Sequence, residues 1–341
     1  MNLLIILLMI SGFWCSSEVE NTSAGSPEII EVGNEQRIVF IAGFDEGDNR
    51  YYDQARNYFQ SAGYPIVDSL YSLAEIVDWL NDRKDTAAFA EIHIVSHSNP
   101  WRGMSLKISP LGARITEDAI RSAQADGELP TLKKGISGRT KVIFHACGLG
   151  NNIELIEQLK FALTAKAPPQ VFASPWYSIF SEGAAGHYLS RVYYVQYPTA
   201  HSPGPAALAQ ELAGKYPDVD INWREAMKTH APVFPGQISY YRFNIPVEWT
   251  FDFADPSDMP QLKNAEEIMD WVVEQDEITR VLYTFKIPLE KFRWRTKTDG
   301  LQLTILAKTT VVCILQPIMQ PEDPTEFSYP DIHDPALFAK R

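Results

Sequence analysis

The chain has 341 residues, 45% hydrophobic and 21% charged, enough to bury a sizeable core and to build one large domain with an appendage. Its formal charge of −13 at pH 7, offset by no basic run, argues against nucleic acid or an anionic membrane surface as the main partner.

Leu3 to Ile10 form an apolar run too short to span a bilayer, and it reads as a secretory signal. Cys15 follows where a lipoprotein signal carries its acylated cysteine; lipidation and removal with the signal both stay open. Residues 16–35 are polar and suit a tether or leader. These features predict export in a bacterial setting: periplasmic, outer-membrane-anchored or extracellular. Membrane attachment would run only through a lipid on Cys15.

From residue 37 short apolar runs alternate with amphipathic stretches. Residues 37–44 read as a buried strand ending in a glycine turn, 51–63 as a helix stopped by Gly63, and 65–70 as a second strand. In 72–80, Ser72 and Glu75 stand in capping-box register before a helical face of Ile76, Val77 and Leu80. Residues 90–98 and 140–147 read as strands on either side of a helix at 115–127. Asn151, with Glu154 three residues on, caps a helix whose inner stripe is Ile153, Ile156, Leu159 and Leu163, and 170–180 is a further strand with its exit loop. Strands separated by helices of this length predict an α/β domain over 36–235, a mostly parallel sheet covered by helices on both faces. After Pro235 long alternating strands flank a helix at 264–275, which predicts an α+β, β-rich module or sheet extension over 236–320. Asp299-Gly300 marks a hairpin within it. The acidic, proline-rich stretch 321–341 reads as a loose tail.

Two of the expected parallel strands run into reactive residue types, one at His97 and the other at Cys147. In open α/β sheets functional groups gather beyond the carboxyl ends of the strands, so both would emerge at one sheet edge. A histidine there could take the proton of a cysteine nucleophile. Gly148 lets the backbone turn sharply, so an N–H at that point could face a developing oxyanion. Each residue also has a plainer role, the cysteine as a small buried hydrophobe and the histidine as a hydrogen-bonded strand end. Cys313, within an apolar run, reads as inert or as the partner of Cys147 in one disulfide. A zinc site from His93, His97 and His145 lacks compact ligand spacing.

The order and gap of these motifs, "IHIVSHS" and then "VIFHACGLG" with Cys147 lying 50 residues (147 − 97) after His97, resemble the caspase-like cysteine peptidases, the clan of caspases, gingipains, legumain, separase and CHAT-type domains. The resemblance covers about residues 37–235. It implies a caspase-like fold, with His97 as general acid/base, Cys147 as nucleophile, and the N–H groups of Ser98 and Gly148 as oxyanion donors. Ser98 stands where these enzymes carry glycine. By the same resemblance His145 would line the specificity pocket, where it would favour a polar or acidic substrate side chain. The loop "GFDEGDN", with Asp45, Glu46 and Asp48, would instead favour a basic side chain, so both specificities stay open, and Trp176 would add a wall. The implied function is an exported endopeptidase acting on a polypeptide substrate, with no metal or other cofactor in the chemistry. The alternatives are a caspase-like module that binds without catalysis and a structural surface lipoprotein.

Overall fold

The computed structural model describes residues 36–45, 49–181, 186–230, 236–319 and 329–341. The signal, Cys15 and the leader lie outside them, as do Glu46 and Asp48 of the acidic loop. In chain order the elements are β1 Arg37–Ala42, α1 Arg50–Ser61, β2 Ile66–Leu70, α2 Leu73–Asp82, β3 Glu91–Val95, β4 Ser98–Asn99, β5 Gly103–Met104, α3 Glu117–Ala125, β6 Lys141–His145, α4 Ile153–Ala162 and β7 Gln170–Ala173. There follow β8 Tyr177–Phe180, β9 His187–Pro198, α5 Pro205–Lys215, α6 Trp223–Ala226, β10 Ser239–Asp252, α7 Ala265–Val273, α8 Asp276–Phe285, β11 Arg293–Asp299, β12 Gln302–Pro317 and β13 Ala339–Lys340.

The helices start where the sequence chemistry dictates. Ser72 and Glu75 form the expected box at α2: the Ser72 Oγ accepts the Glu75 N–H at 3.2 Å, and the carboxylate accepts the Tyr71 N–H at 2.9 Å. Asn49 caps α1 and Thr116 caps α3 in the same way. At α4 the cap is Asn152 rather than Asn151, because Leu149–Asn151 first makes a 3₁₀ turn.

The first sheet runs β2-β1-β3-β6-β7 in parallel, with β13 antiparallel at the β7 edge. On one face, Phe40, Ile94, Val142 and Phe144 pack against α2, α3 and α4 in the largest core. On the other, Val39, Ile41 and Val95 meet Tyr52, Ala55 and Phe59 of α1. Among the described helices only α1 covers that second face. The remainder is closed by β8 and β9, through Phe180 and Leu189. The mixed α/β architecture with a mostly parallel sheet is therefore present, and a second sheet does part of the covering expected of helices.

That second sheet is antiparallel, in the order β10-β12-β9-β8 with β11 also against β12. It joins strands from before and after residue 235, and Glu35–Arg341 form one compact unit, so a boundary at 235 divides neither sheet from the other. The stretch 170–180, expected to be a strand with its exit loop, holds two strands, β7 and β8, which fall in different sheets on either side of Ser174–Trp176. The tail is also anchored. Phe338 is buried against Ile143, Phe172 and Leu189, and β13 pairs with β7. Composition alone hid this, since proline and acidic residues outnumber the one anchoring aromatic. The segment 320–328 lies outside the described residues. Among the described residues no helix is long and apolar enough to cross a membrane.

Candidate active site

Val95 and His145 are register partners at the ends of the neighbouring parallel strands β3 and β6. His97 and Cys147 each lie two residues further on, so both leave the same edge side by side, as the sequence predicts. Cys147 borders a cleft of about 710 Å³ with Ser98, Trp101 and Gly148, the α3 start at Glu117 and Asp118, the α4 start at Glu154, and Lys286 beyond α8. Trp101 fixes one wall, its indole N–H donating to the Phe285 carbonyl at 2.9 Å.

His97 is held from three sides. Its ring stacks on Tyr51 at 4.4 Å between centroids and meets the edge of Tyr52 at 5.0 Å. Its Nε2 is 3.3 Å from Asn49 Oδ1, the same oxygen that accepts the Tyr51 N–H at the α1 cap. Its backbone N–H donates to the Tyr52 hydroxyl at 3.0 Å, which in turn donates to Asp45 Oδ1 at 2.8 Å. Burial holds the imidazole below its ordinary pKa, with Asp45 opposing and Arg114 adding to the effect. The neutral ring is therefore the resting form.

Cys147 is 8% exposed and packs on Tyr177 and Leu315. Its Sγ–H donates to the Ser178 carbonyl at 3.8 Å, and burial pushes the thiol up to about 12. Cys313 is a second free buried thiol, also pushed up to about 12 by burial, so no disulfide joins the two. His97 and Cys147 thus emerge together without a hydrogen bond between them, each side chain occupied elsewhere.

The structure corrects four further expectations. The Gly148 N–H donates to the Trp176 carbonyl at 3.1 Å and does not point at open cleft. Gly148 has φ 72°, the left-handed turn the sequence suggests, while Gly150 is required for packing: a Cβ there would overlap the backbone of Ser174 and Pro175. Asp45 is not among the residues lining the cleft, and its two oxygens accept from Tyr52 and from the Ser105 hydroxyl at 2.7 Å. Trp176 turns its indole away to the Ala336 carbonyl, 2.9 Å. His145 points into the core and not into the cleft, because residues 141, 143 and 145 share the face covered by α1 and β8. Ser98 does border the cleft, and it stands opposite Met104 in the β4–β5 hairpin. The Ser105 N–H to His97 carbonyl bond of 2.7 Å makes that a non-hydrogen-bonded pair, so the Ser98 N–H takes no part in the ladder.

Beneath the cleft floor lies a group the sequence did not assemble. His93 Nδ1 and His145 Nε2 are 2.9 Å apart, His187 meets His145 edge-on at 4.9 Å, and His187 Nε2 is 2.7 Å from the Ser178 hydroxyl. All three rings are buried, with His93 Nε2 and His187 Nδ1 lacking hydrogen-bond partners. Because His97 lies on Asn49 and the other two on each other, His93, His97 and His145 do not converge on one point. Among the described residues no three His, Cys, Asp or Glu side chains are arranged to hold a metal ion. Residue spacing does not mark Asn49, Tyr51 or His187 as site residues; the one signal is Asn49 standing before a helix with two tyrosines at its start.

The fold and this edge define an α/β protein in which a histidine and a cleft-bordering cysteine follow the ends of adjacent parallel strands. Comparison with known proteins finds no matching family, no matching characterised protein and no matching solved structure.

Proposed function

We propose that the chain is an exported, caspase-like cysteine peptidase whose dyad, Cys147 and His97, is in a resting arrangement. The observation that carries this reading is that Cys147 borders the same cleft as Ser98, the residue following His97. In the reaction His97 takes the thiol proton and Cys147 Sγ attacks the scissile carbonyl carbon. The C–N bond then breaks as His97 returns the proton to the leaving amine, and water activated by His97 hydrolyses the thioester. The Ser98 N–H, outside the hairpin ladder, supports a role as oxyanion donor. For the step to start, the imidazole must turn from Asn49 and the thiol from the Ser178 carbonyl, a rearrangement that substrate filling the cleft would drive.

A second reading has specific support. The raised Cys147 pKa and the engaged Gly148 N–H suit a caspase-like module that binds a polypeptide without cleaving it. The test is cleavage of a peptide library by wild-type, Cys147→Ala and His97→Ala proteins, alongside the pH profile of Cys147 alkylation in a Cys313→Ser background. Cleavage lost in both variants supports the peptidase. No cleavage, together with alkylation indifferent to His97→Ala, leaves the binding module.

A further inference from the structure

We infer that the open face of the second sheet carries a binding site for a tetrahedral oxyanion, the phosphate or sulfate group of a larger molecule, separate from the cysteine cleft. Read along the chain the protein shows no basic run, but strand pairing gathers one. Arg293 on β11 stands directly opposite Lys308 on β12, with Arg295 two residues along on the same face. The reverse faces of these strands, at Trp294 and Ala307, are buried in the core under α7 and α8, so the three cations face outward. Among the described residues none of the three forms an ion pair.

Two like charges directly opposed across strands cost stability unless something neutralises them. They persist here in a chain whose formal charge is −13. The shape of the place is also suited to a ligand. One side of β12 is paired with β9 over Thr309–Pro317 and with β11 over Gln302–Lys308. At this handover, beside Thr199, the three cations border a groove of about 480 Å³ together with one carboxylate, Glu248, so the charged lining is net positive. Guanidinium forks match the oxygens of phosphate and sulfate in pairs, and an ammonium adds a compact charge between them. Leu306 and Pro246 line the same groove and offer an apolar floor for the carbon skeleton bearing the anion.

The test uses the full chain with heparin as a sulfated polymer, inorganic phosphate as competitor and neutral dextran as control, followed by calorimetry at low salt. The expected result is heparin binding that phosphate displaces. An Arg293→Gln/Lys308→Gln double variant, shown folded by circular dichroism, should weaken it at least about tenfold, while Lys263→Gln on another surface leaves it unchanged. No binding, or equal binding by the double variant, overturns the proposal. So would attachment to phosphatidylglycerol vesicles that phosphate fails to displace, which would mark a flat membrane-facing surface instead of an oxyanion pocket.

Discussion

Acidification should destabilise this protein through its buried histidines well before its carboxylates titrate. His93, His145 and His187 are all held below their ordinary pKa, burial being the largest cause for each, and His187 is pushed down to about 3. The charged groups near the cluster are few. Glu91 lies 3.9 Å from His93 Nε2 and opposes the shift, Arg37 reinforces it, and Lys141 pairs with Glu91 at 3.7 Å. A depressed histidine pKa means that the unfolded chain binds the proton first, so stability falls as pH drops below the unfolded value near 6.5 and levels out only below the folded one. For His187 alone, the window between about 6.5 and about 3 costs about 2 kcal/mol by pH 5. His145 and His93 add terms of the same sign. Against a total stability of about 5–15 kcal/mol, the loss is large. Urea unfolding followed by tryptophan fluorescence at pH 7 and pH 5 would measure it. His187→Gln, which keeps a hydrogen-bonding group toward Ser178 but cannot titrate, should remove close to one proton of the pH dependence. Equal stability at both pH values, or an unchanged slope in the variant, would refute the reasoning.

The other expectations are narrower. Gly150→Ala forces a methyl into the Ser174–Pro175 backbone and should cost about 3 kcal/mol, read as a lowered urea midpoint with unchanged slope. Asn49→Ala removes the α1 cap and the partner of His97 Nε2, costing about 1 kcal/mol, whereas Asn49→Asp keeps the cap and should raise the His97 pKa; NMR titration of the His97 ring separates the two. Pro246→Thr should promote self-association, seen as concentration-dependent sedimentation. The Phe253 N–H bonds inward to Leu301 and the Tyr240 N–H outward to Thr229, so even-numbered β10 residues face the open edge, where Pro246 now interrupts the donors.

What the sequence disclosed and what it withheld divide along a physical line. Local signals survived folding: Ser72 with Glu75, the apolar runs of β1, β3 and β6, and the Asp299-Gly300 turn all act within a few residues, and each has its expected effect. The placing of His97 and Cys147 at one edge was also legible, because each follows a five-residue parallel strand by two residues and the register of such neighbours has little freedom. Side-chain direction was not. Alternation along β6 sets His145 on the covered face, and the inward turn at Gly150 engages the Gly148 N–H, yet neither is visible in residue spacing. Long-range assembly was hidden for the same reason. His187 opens β9 across from β8, and only that pairing brings it to Ser178 and beneath Cys147. The burial of the site has one consequence for its chemistry. Ser178 accepts the Cys147 thiol through its carbonyl and meets His187 through its hydroxyl, so the β8 segment that holds this thiol also covers the histidine cluster. Movement of β8 itself would therefore disturb the packing around the three buried imidazoles. An acidic medium, which favours opening of that cluster, would then also loosen the β8 segment that lies against Cys147.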